Sequence, residues 1–242
     1  MCESKQLSLT LIVAATRSNA IGRESSLPWR LSKEMAYFAR ITKGEPESTT
    51  GSSGSGSGKN VVIMGRKSWE GIPKKFRPLA ERVNVVVTRQ KDYDLEDSPS
   101  IYVANSLESA IDVIHSTTRL PEETESNSSS TATRNRTFLI GGAQLYNQTL
   151  KELPSPSSSS SSNYSIDRVL LTRIFTDYSN CDTFLYPFTE EPQNWRKASL
   201  QEFREWAGWE VPGGVQSEKD RAYKGEGGDK IVEYEFEMWV RA

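Results

Sequence analysis

Runs of branched apolar residues alternate along the chain with stretches in which apolar positions recur every three or four residues. The runs predict β-strands over 7–15, 60–64, 83–88, 100–104, 137–140, 168–175 and 230–241. The wider spacing predicts helices over 32–42, near 66–72, over 106–115 and over 143–153. Several strands are apolar at every position, as expected for strands covered on both faces. The last one differs: Val232, Tyr234, Phe236, Met238 and Val240 alternate with Glu233, Glu235, Glu237 and Trp239. That alternation predicts an edge or antiparallel strand with one wet face. The whole pattern predicts one α/β domain built on a mixed, mainly parallel sheet.

Three polar stretches interrupt it, at 44–58, 121–135 and 154–163. All are poor in large apolar residues and predict flexible, exposed insertions. The Gly/Ser run at 51–58 reads as a natural loop or as an engineered linker. It also approaches a phosphate-binding loop at Gly58-Lys59. Ser53 stands where that motif needs its first glycine, Asn60 replaces the hydroxyl residue, and a strand follows instead of preceding. The motif requires strand, loop and helix in that order, so it is rejected.

Composition narrows the function. Of the 242 residues, 36% are apolar, enough for a sizeable core once the polar stretches are set aside. The formal net charge of −2 carries no basic excess that would favour nucleic acid or an anionic membrane. Cys2 and Cys181 fit no metal or redox spacing, and a reducing, cytoplasmic setting is expected. The single histidine, His115, excludes a multi-histidine metal centre and is expected near a helix C-terminus without chemistry. Leu7 to Ala15 is read as a strand and not as a signal core, because Glu3 offsets Lys5 ahead of it and Ser8 and Thr10 alternate with leucines. Asn-x-Ser/Thr matches at Asn127, Asn135, Asn147 and Asn163 are read as accidental in a serine-rich chain.

One position breaks the hydrophobic pattern. Leu31, Glu34, Phe38 and Ile41 share a helix face, and the second of them is a carboxylic acid. An unpaired buried carboxylate is costly, so Glu34 needs a partner. With Ser32 as N-cap, it would sit in the first turn, where the helix dipole favours an anion by about 0.3–1 kcal/mol. Thr172, at the end of "RVLLT", is a candidate hydroxyl partner.

Strand ends carry the remaining candidates. "FLIGGAQLY" (138–146) runs from a strand through Gly141-Gly142 into a helix, which reads as an anion cradle or as a tight turn. The dinucleotide fingerprint G-x-G-x-x-G is absent. "VVIMGRKSW" (61–69) places Arg66, Lys67 and Ser68 after a strand-ending Gly65, as a phosphate site or a solvated basic turn. "VNVVVTRQ" (83–90) ends in Thr88 and Arg89. In open α/β sheets ligands gather at the carboxyl ends of strands, so three such ends together favour a phosphorylated ligand. Arg82 suits a bidentate carboxylate clamp or a surface ion pair.

Taken together, "LIVAAT", "IGRESSLPW", "KEMAYF", "VVIMGRKSWEGIP", "RPLAERVNVVVTR", "FLIGGAQLY", "LLTRI" and "DTFLYP" resemble dihydrofolate reductases. The blocks follow the family's order and span nearly all of the chain outside the polar stretches, which resemble those of eukaryotic, fungal members. The resemblance implies an eight-stranded, mostly parallel sheet with flanking helices and the use of NADPH. It implies that Glu34 accepts from the 2-amino and ring N–H edge of a pterin, that Thr172 orients it, and that Trp29, beside Leu27, holds a water nearby. Ile12, Val13, Met35, Phe38, Ile72, Leu79, Ile140 and Tyr146 match pocket walls, and Arg82 matches the clamp on the substrate's glutamate carboxylate. Ala14 and Ile21 match nicotinamide contacts. Gly65, Arg66, Lys67 and Ser68 match the phosphate site, and Val87, Thr88 and Arg89 the 2′-phosphate site. Ser106 matches a position by the adenine. Gly141, Gly142, Ala143, Gln144, Leu145 and Tyr146 match the pyrophosphate turn, where the family carries a cis Gly-Gly peptide.

Three departures bear on lid motion and affinity: Ser25-Ser26 replaces a glycine followed by an acid or amide, Met35 replaces an aromatic, and Asn105 replaces a basic residue. The implied reaction is hydride transfer to C6 of 7,8-dihydrofolate with protonation at N5, by a monomer whose partners are this substrate and antifolate inhibitors. No thymidylate synthase extension accompanies the blocks, so a monofunctional chain is expected. A related pyrimidine reductase and a non-catalytic folate- or nucleotide-binding module are the rival readings.

Overall fold

The computed structural model describes residues 6–43, 59–93, 100–117, 135–151, 163–223 and 229–242. The expected insertions lie outside these residues, except for Asn135 and Asn163 at their edges. Asn163 belongs to the fold: its carbonyl accepts from Leu7 N at 2.9 Å and its side chain donates to Asp112 at 2.9 Å. The Asn147 side chain is likewise occupied internally, bridging Phe184 O and Tyr186 N.

The described residues form a nine-stranded sheet and a separate two-stranded pair. In chain order the strands are β1 (Leu7–Thr16), β2 (Ala20–Gly22), β3 (Val61–Gly65), β4 (Val83–Val87), β5 (Ile101–Ala104), β6 (Thr137–Leu139), β7 (Tyr164–Ile174), β8 (Thr183–Phe184), β9 (Trp195–Lys197), β10 (Gln216–Lys219) and β11 (Ile231–Arg241). The helices are α1 (Ser32–Lys43), α2 (Arg66–Gly71), α3 (Leu107–Thr117), α4 (Ala143–Lys151) and α5 (Leu200–Ala207). Eight strands run in the order β10-β11-β7-β1-β6-β3-β4-β5, and β9 pairs with the far end of β11. From β7 to β5 every pairing is parallel, whereas β11 runs antiparallel to β7, β9 and β10. β2 and β8 form the small pair.

Strand periodicity divides the core between the two sheet faces. Leu9, Leu11, Val13 and Ala15 of β1 pack with Leu107, Ala110, Ile111 and Ile114 of α3 and Leu150 of α4. Ile12 faces the opposite way, into a cluster with Tyr37 and Ile41 of α1, Trp69 of α2 and Phe203 of α5. The same period puts Thr172 of β7 on the face of Leu170 and Ile174, which is the face of α1. Ala14 is its register partner on β1.

Several boundaries depart from the sequence reading. β7 starts at Tyr164 and not near 168, because its polar beginning pairs with Leu7–Leu9 of β1 before a register shift. β2, β8, β9, β10 and α5 were not expected at all. No helix among the described residues is long and apolar enough to cross a membrane.

Candidate active site

α1 begins at Ser32, as the sequence predicts, but its cap lies one residue earlier. Leu31 O accepts from Met35 N at 3.1 Å, and Ser32 is already helical, so Ser32 is not the N-cap. The exposed first-turn amides are satisfied from across the structure. Lys33 N and Glu34 N donate to the carboxylate of Glu218 on β10, at 2.9 and 3.2 Å. The buried face of α1 consists of Glu34, Tyr37, Ile41 and Thr42, while Phe38 is half-buried. Tyr37 takes the inner position because its ring stacks on Phe236 of β11, with centroids 3.9 Å apart.

Glu34 is 8% exposed, and the Thr172 hydroxyl donates to its Oε1 at 3.2 Å. Burial pushes the Glu34 carboxyl up to about 7, the Thr172 hydrogen bond pulls against this, and the negative charge of Glu218 adds to the rise. A group so placed holds or releases a proton near neutrality, which is what proton chemistry at pH 7 requires.

On the same sheet face as this acid, Ala14, Phe38, Ile72, Leu79 and Ile140 are partly buried apolar residues packed against one core cluster, the cluster that contains Ile12 and Trp29. Leu27 and Met35 are about half exposed, at 53% and 49%. Trp29 is buried, and its Nε1 has no hydrogen-bond partner among the described residues. A buried donor of that kind calls for a small polar partner. Val13 is not brought to this group; it lies in the core on the other sheet face. Tyr146 bridges the two faces, its hydroxyl donating to Ile12 O at 2.6 Å.

Arg82 is buried and, among the described residues, hydrogen-bonds within its own neighbourhood. Its Nε donates to Ala80 O at 2.9 Å and one terminal nitrogen donates to Thr42 Oγ1 at 2.7 Å. The loop that carries it is stapled by Asn84, whose side chain accepts from Leu79 N and donates to Leu79 O and Arg82 O.

The second half of the site lies along the carboxyl ends of β6, β3, β4 and β5. Gly65 N donates to Gly141 O at 2.8 Å, and Thr88 N to Ala104 O at 2.9 Å, so the four strand ends stand in a row. The Gly141-Gly142 peptide is cis. Gly141 has φ +134°, and a Cβ there would lie 2.8 Å from Ser68 Oγ; one on Gly142 would lie 3.1 Å from it. A side chain at Gly141 would therefore be strained by its backbone, and one at either glycine would require Ser68 to shift. α4 follows with Ala143, Gln144 and Leu145, and Gln144 is exposed. Arg66 pairs with Glu70 at 2.9 Å, Lys67 and Arg89 are exposed, Val87 is half-buried, and buried Thr88 accepts from Gln90 N. Ser106 caps α3 by accepting from Ser109 N at 3.1 Å. The row combines basic side chains, hydroxyls and two full helix N-termini, a donor set suited to phosphates.

The segment from Asn19 to Ser26 packs through Ile21 into the core cluster that contains Val13. Buried Ile21 sits in β2. Arg23 and Ser26 exchange two backbone hydrogen bonds of 2.9 Å around Glu24 and Ser25, both at positive φ. Ser25 thus adopts a left-handed conformation that glycine takes at no steric cost. Glu24 N donates to Asp182 at 2.8 Å, which pins the turn to the segment leading into β8.

A family model described as dihydrofolate reductase matches residues 8–49 and 55–208. The chain belongs to the dihydrofolate reductase family. A dihydrofolate reductase from Cryptococcus neoformans is 42% identical over 98% of this chain and 96% of its own length. One from Pneumocystis carinii is 39% identical over 98% of both chains. One from Candida albicans is 30% identical over 83% of this chain and 85% of its own. The α/β fold expected of the family is met, and these three relatives are fungal.

Sequence reasoning missed Glu218, Asn84 and Asp182, although each holds a site segment in place. Asn84 left a signal, the one polar residue in "VNVVV". Glu218 left none, since it lies on a short polar strand 184 residues from the amide it accepts from.

Proposed function

We propose that this protein reduces 7,8-dihydrofolate to 5,6,7,8-tetrahydrofolate with NADPH, adding hydride at C6 and a proton at N5. The observation that carries this reading is a buried Glu34, held by the Thr172 hydroxyl on the apolar α1 face of the sheet, with its proton affinity raised to the neutral range. A pterin presents adjacent N–H donors that satisfy both carboxylate oxygens, which resolves the cost of burying an acid among apolar neighbours.

NADPH, when bound, supplies the hydride. The row of strand ends suits it: the glycine turn at 141–142 leaves room for close approach, Thr88 and Arg89 suit a 2′-phosphate, Arg66, Lys67 and Ser68 suit the bridging phosphates, and Ser106 lies at the last strand end. Ala14 and Ile21 suit contacts to the nicotinamide portion.

The chain's own groups do the rest. The negative charge of Glu34 beside the pterin raises the ring's proton affinity and favours the cationic, hydride-accepting form. Glu34 lies at the edge away from N5, so the proton arrives through water near Leu27 and Trp29, where the Trp29 Nε1 donor is available. The Asn19–Ser26 segment, pinned by Asp182, covers the reacting rings and excludes bulk water. Arg82, held flat by Ala80 and Thr42, offers its remaining donors to the substrate's glutamate carboxylate.

The test is oxidation of NADPH followed with and without dihydrofolate. Oxidation that depends on dihydrofolate supports the reading. Binding of both ligands without turnover would make the protein a binding module, and turnover only with a ribosylated pyrimidine would make it the related reductase.

A further inference from the structure

Strand β10 is four polar residues long and contributes no buried apolar side chain, yet its groups converge on the segment that carries Trp29 and Glu34. Glu218 Oε2 accepts from Lys33 N at 2.9 Å, and its Oε1 accepts from Glu34 N at 3.2 Å and from the Tyr234 hydroxyl at 2.8 Å. Lys33 Nζ donates to Ser217 O at 3.2 Å. Just beyond the strand, Asp220 accepts from Arg30 N at 2.9 Å and Arg221 N donates to Arg30 O at 3.0 Å. The other Asp220 oxygen accepts from Tyr178, whose ring lies 5.2 Å from that of Trp29. An edge strand thus grips residues 30–34 by their backbone, and a carboxylate occupies the position that a local N-cap side chain would otherwise fill.

We propose that Glu218 is a positioning residue for the reduction, holding the first turn of α1 so that the Glu34 carboxylate stays against Thr172. This rests on the assignment of Glu34 as the substrate's acid. Two consequences separate the role from simple bracing. The carboxylate fixes where Glu34 sits, and its charge acts on the proton that Glu34 shares with the substrate. The groups facing Glu34 are Thr172 from β7, Tyr146 from α4, Tyr234 from β11, Tyr37 on its own helix and Glu218 from β10. Burial holds the three phenols in their neutral form. Glu218 is therefore the charged member of this group that acts on Glu34.

The experiment compares kcat and KM for dihydrofolate from pH 5 to 9 in the wild type, Glu218→Gln, Glu218→Asp and Glu34→Gln. Glu205→Gln, an exposed change on α5, controls for net charge. Glu218→Gln keeps an acceptor oxygen and removes the charge, so the midpoint at which kcat declines with rising pH falls below that of the wild type, with the Glu205→Gln midpoint unmoved. Glu218→Asp keeps the charge on a shorter stem, so the midpoint stays while KM rises about fivefold through the loosened cap. A wild-type midpoint in Glu218→Gln overturns the proposal. Should that variant fail to fold, an unchanged KM in Glu218→Asp overturns it. Full turnover in Glu34→Gln would instead remove the underlying assignment, whereas an inactive Glu34→Gln beside a wild-type Glu218→Gln overturns the proposal alone.

Discussion

The Thr172 hydroxyl donates to the Glu34 carboxylate across 3.2 Å, joining residues 138 positions apart in the chain. The contact exists because Thr172 falls on the α1 face of β7, opposite Ala14 in the parallel register. A slip of one residue in that register would turn the hydroxyl to the other face and leave the acid without a protein partner.

The acid should make the protein's stability depend on pH. Its folded-state carboxyl is raised from 4.5 to about 7 by burial, so the native state holds its proton more tightly than the unfolded chain. Stability from this group is fully present below about pH 4.5 and is lost as pH rises through 7. The loss is on the order of 3 kcal/mol. Urea unfolding of the ligand-free protein should therefore show Glu34→Gln gaining on the wild type between pH 5 and 8. A constant difference across that range would mean that Glu34 is not desolvated.

The glycine turn gives a second prediction. Gly141→Ala forces a side chain into φ +134° and brings its Cβ against Ser68 Oγ. The backbone term alone is about 1–3 kcal/mol. Fluorescence titration should show NADPH affinity falling steeply in this variant. Wild-type affinity would mean that the turn does not meet the cofactor.

Cofactor choice is expected to reside beyond β4. Arg89 is exposed at the strand end next to buried Thr88. Arg89→Ala should weaken NADPH about ten- to a hundredfold, the worth of a charge-assisted phosphate contact, and leave NADH nearly unchanged. Equal losses for both would mean that Arg89 does not read the 2′-phosphate.

The legible parts of this fold are those with strong local signals. β1, β3, β4, β6 and β11 announce themselves by uninterrupted or alternating apolar residues, and α1, α3 and α4 by their spacing. β10, read "QSEK", has no apolar period because it is an edge strand that packs nothing. α5 carried a readable mark that went unused: Ser199 and Glu202 form a reciprocal capping box. Ser32 was expected to cap α1 on residue type alone, but a distant carboxylate does so, and no window of sequence contains both partners. Glu34 stood out for the opposite reason, as a charge interrupting a greasy stripe. Its partner Thr172 was nameable from sequence, whereas the contact needed the register of β7 against β1.

The rate of NADPH oxidation by Glu34→Gln in saturating dihydrofolate, measured from pH 5 to 9 beside the wild type, tests the central claim most directly. The account predicts a folded variant that still binds NADPH but has lost most turnover at neutral pH. A variant with the wild-type rate and the wild-type pH profile would contradict it.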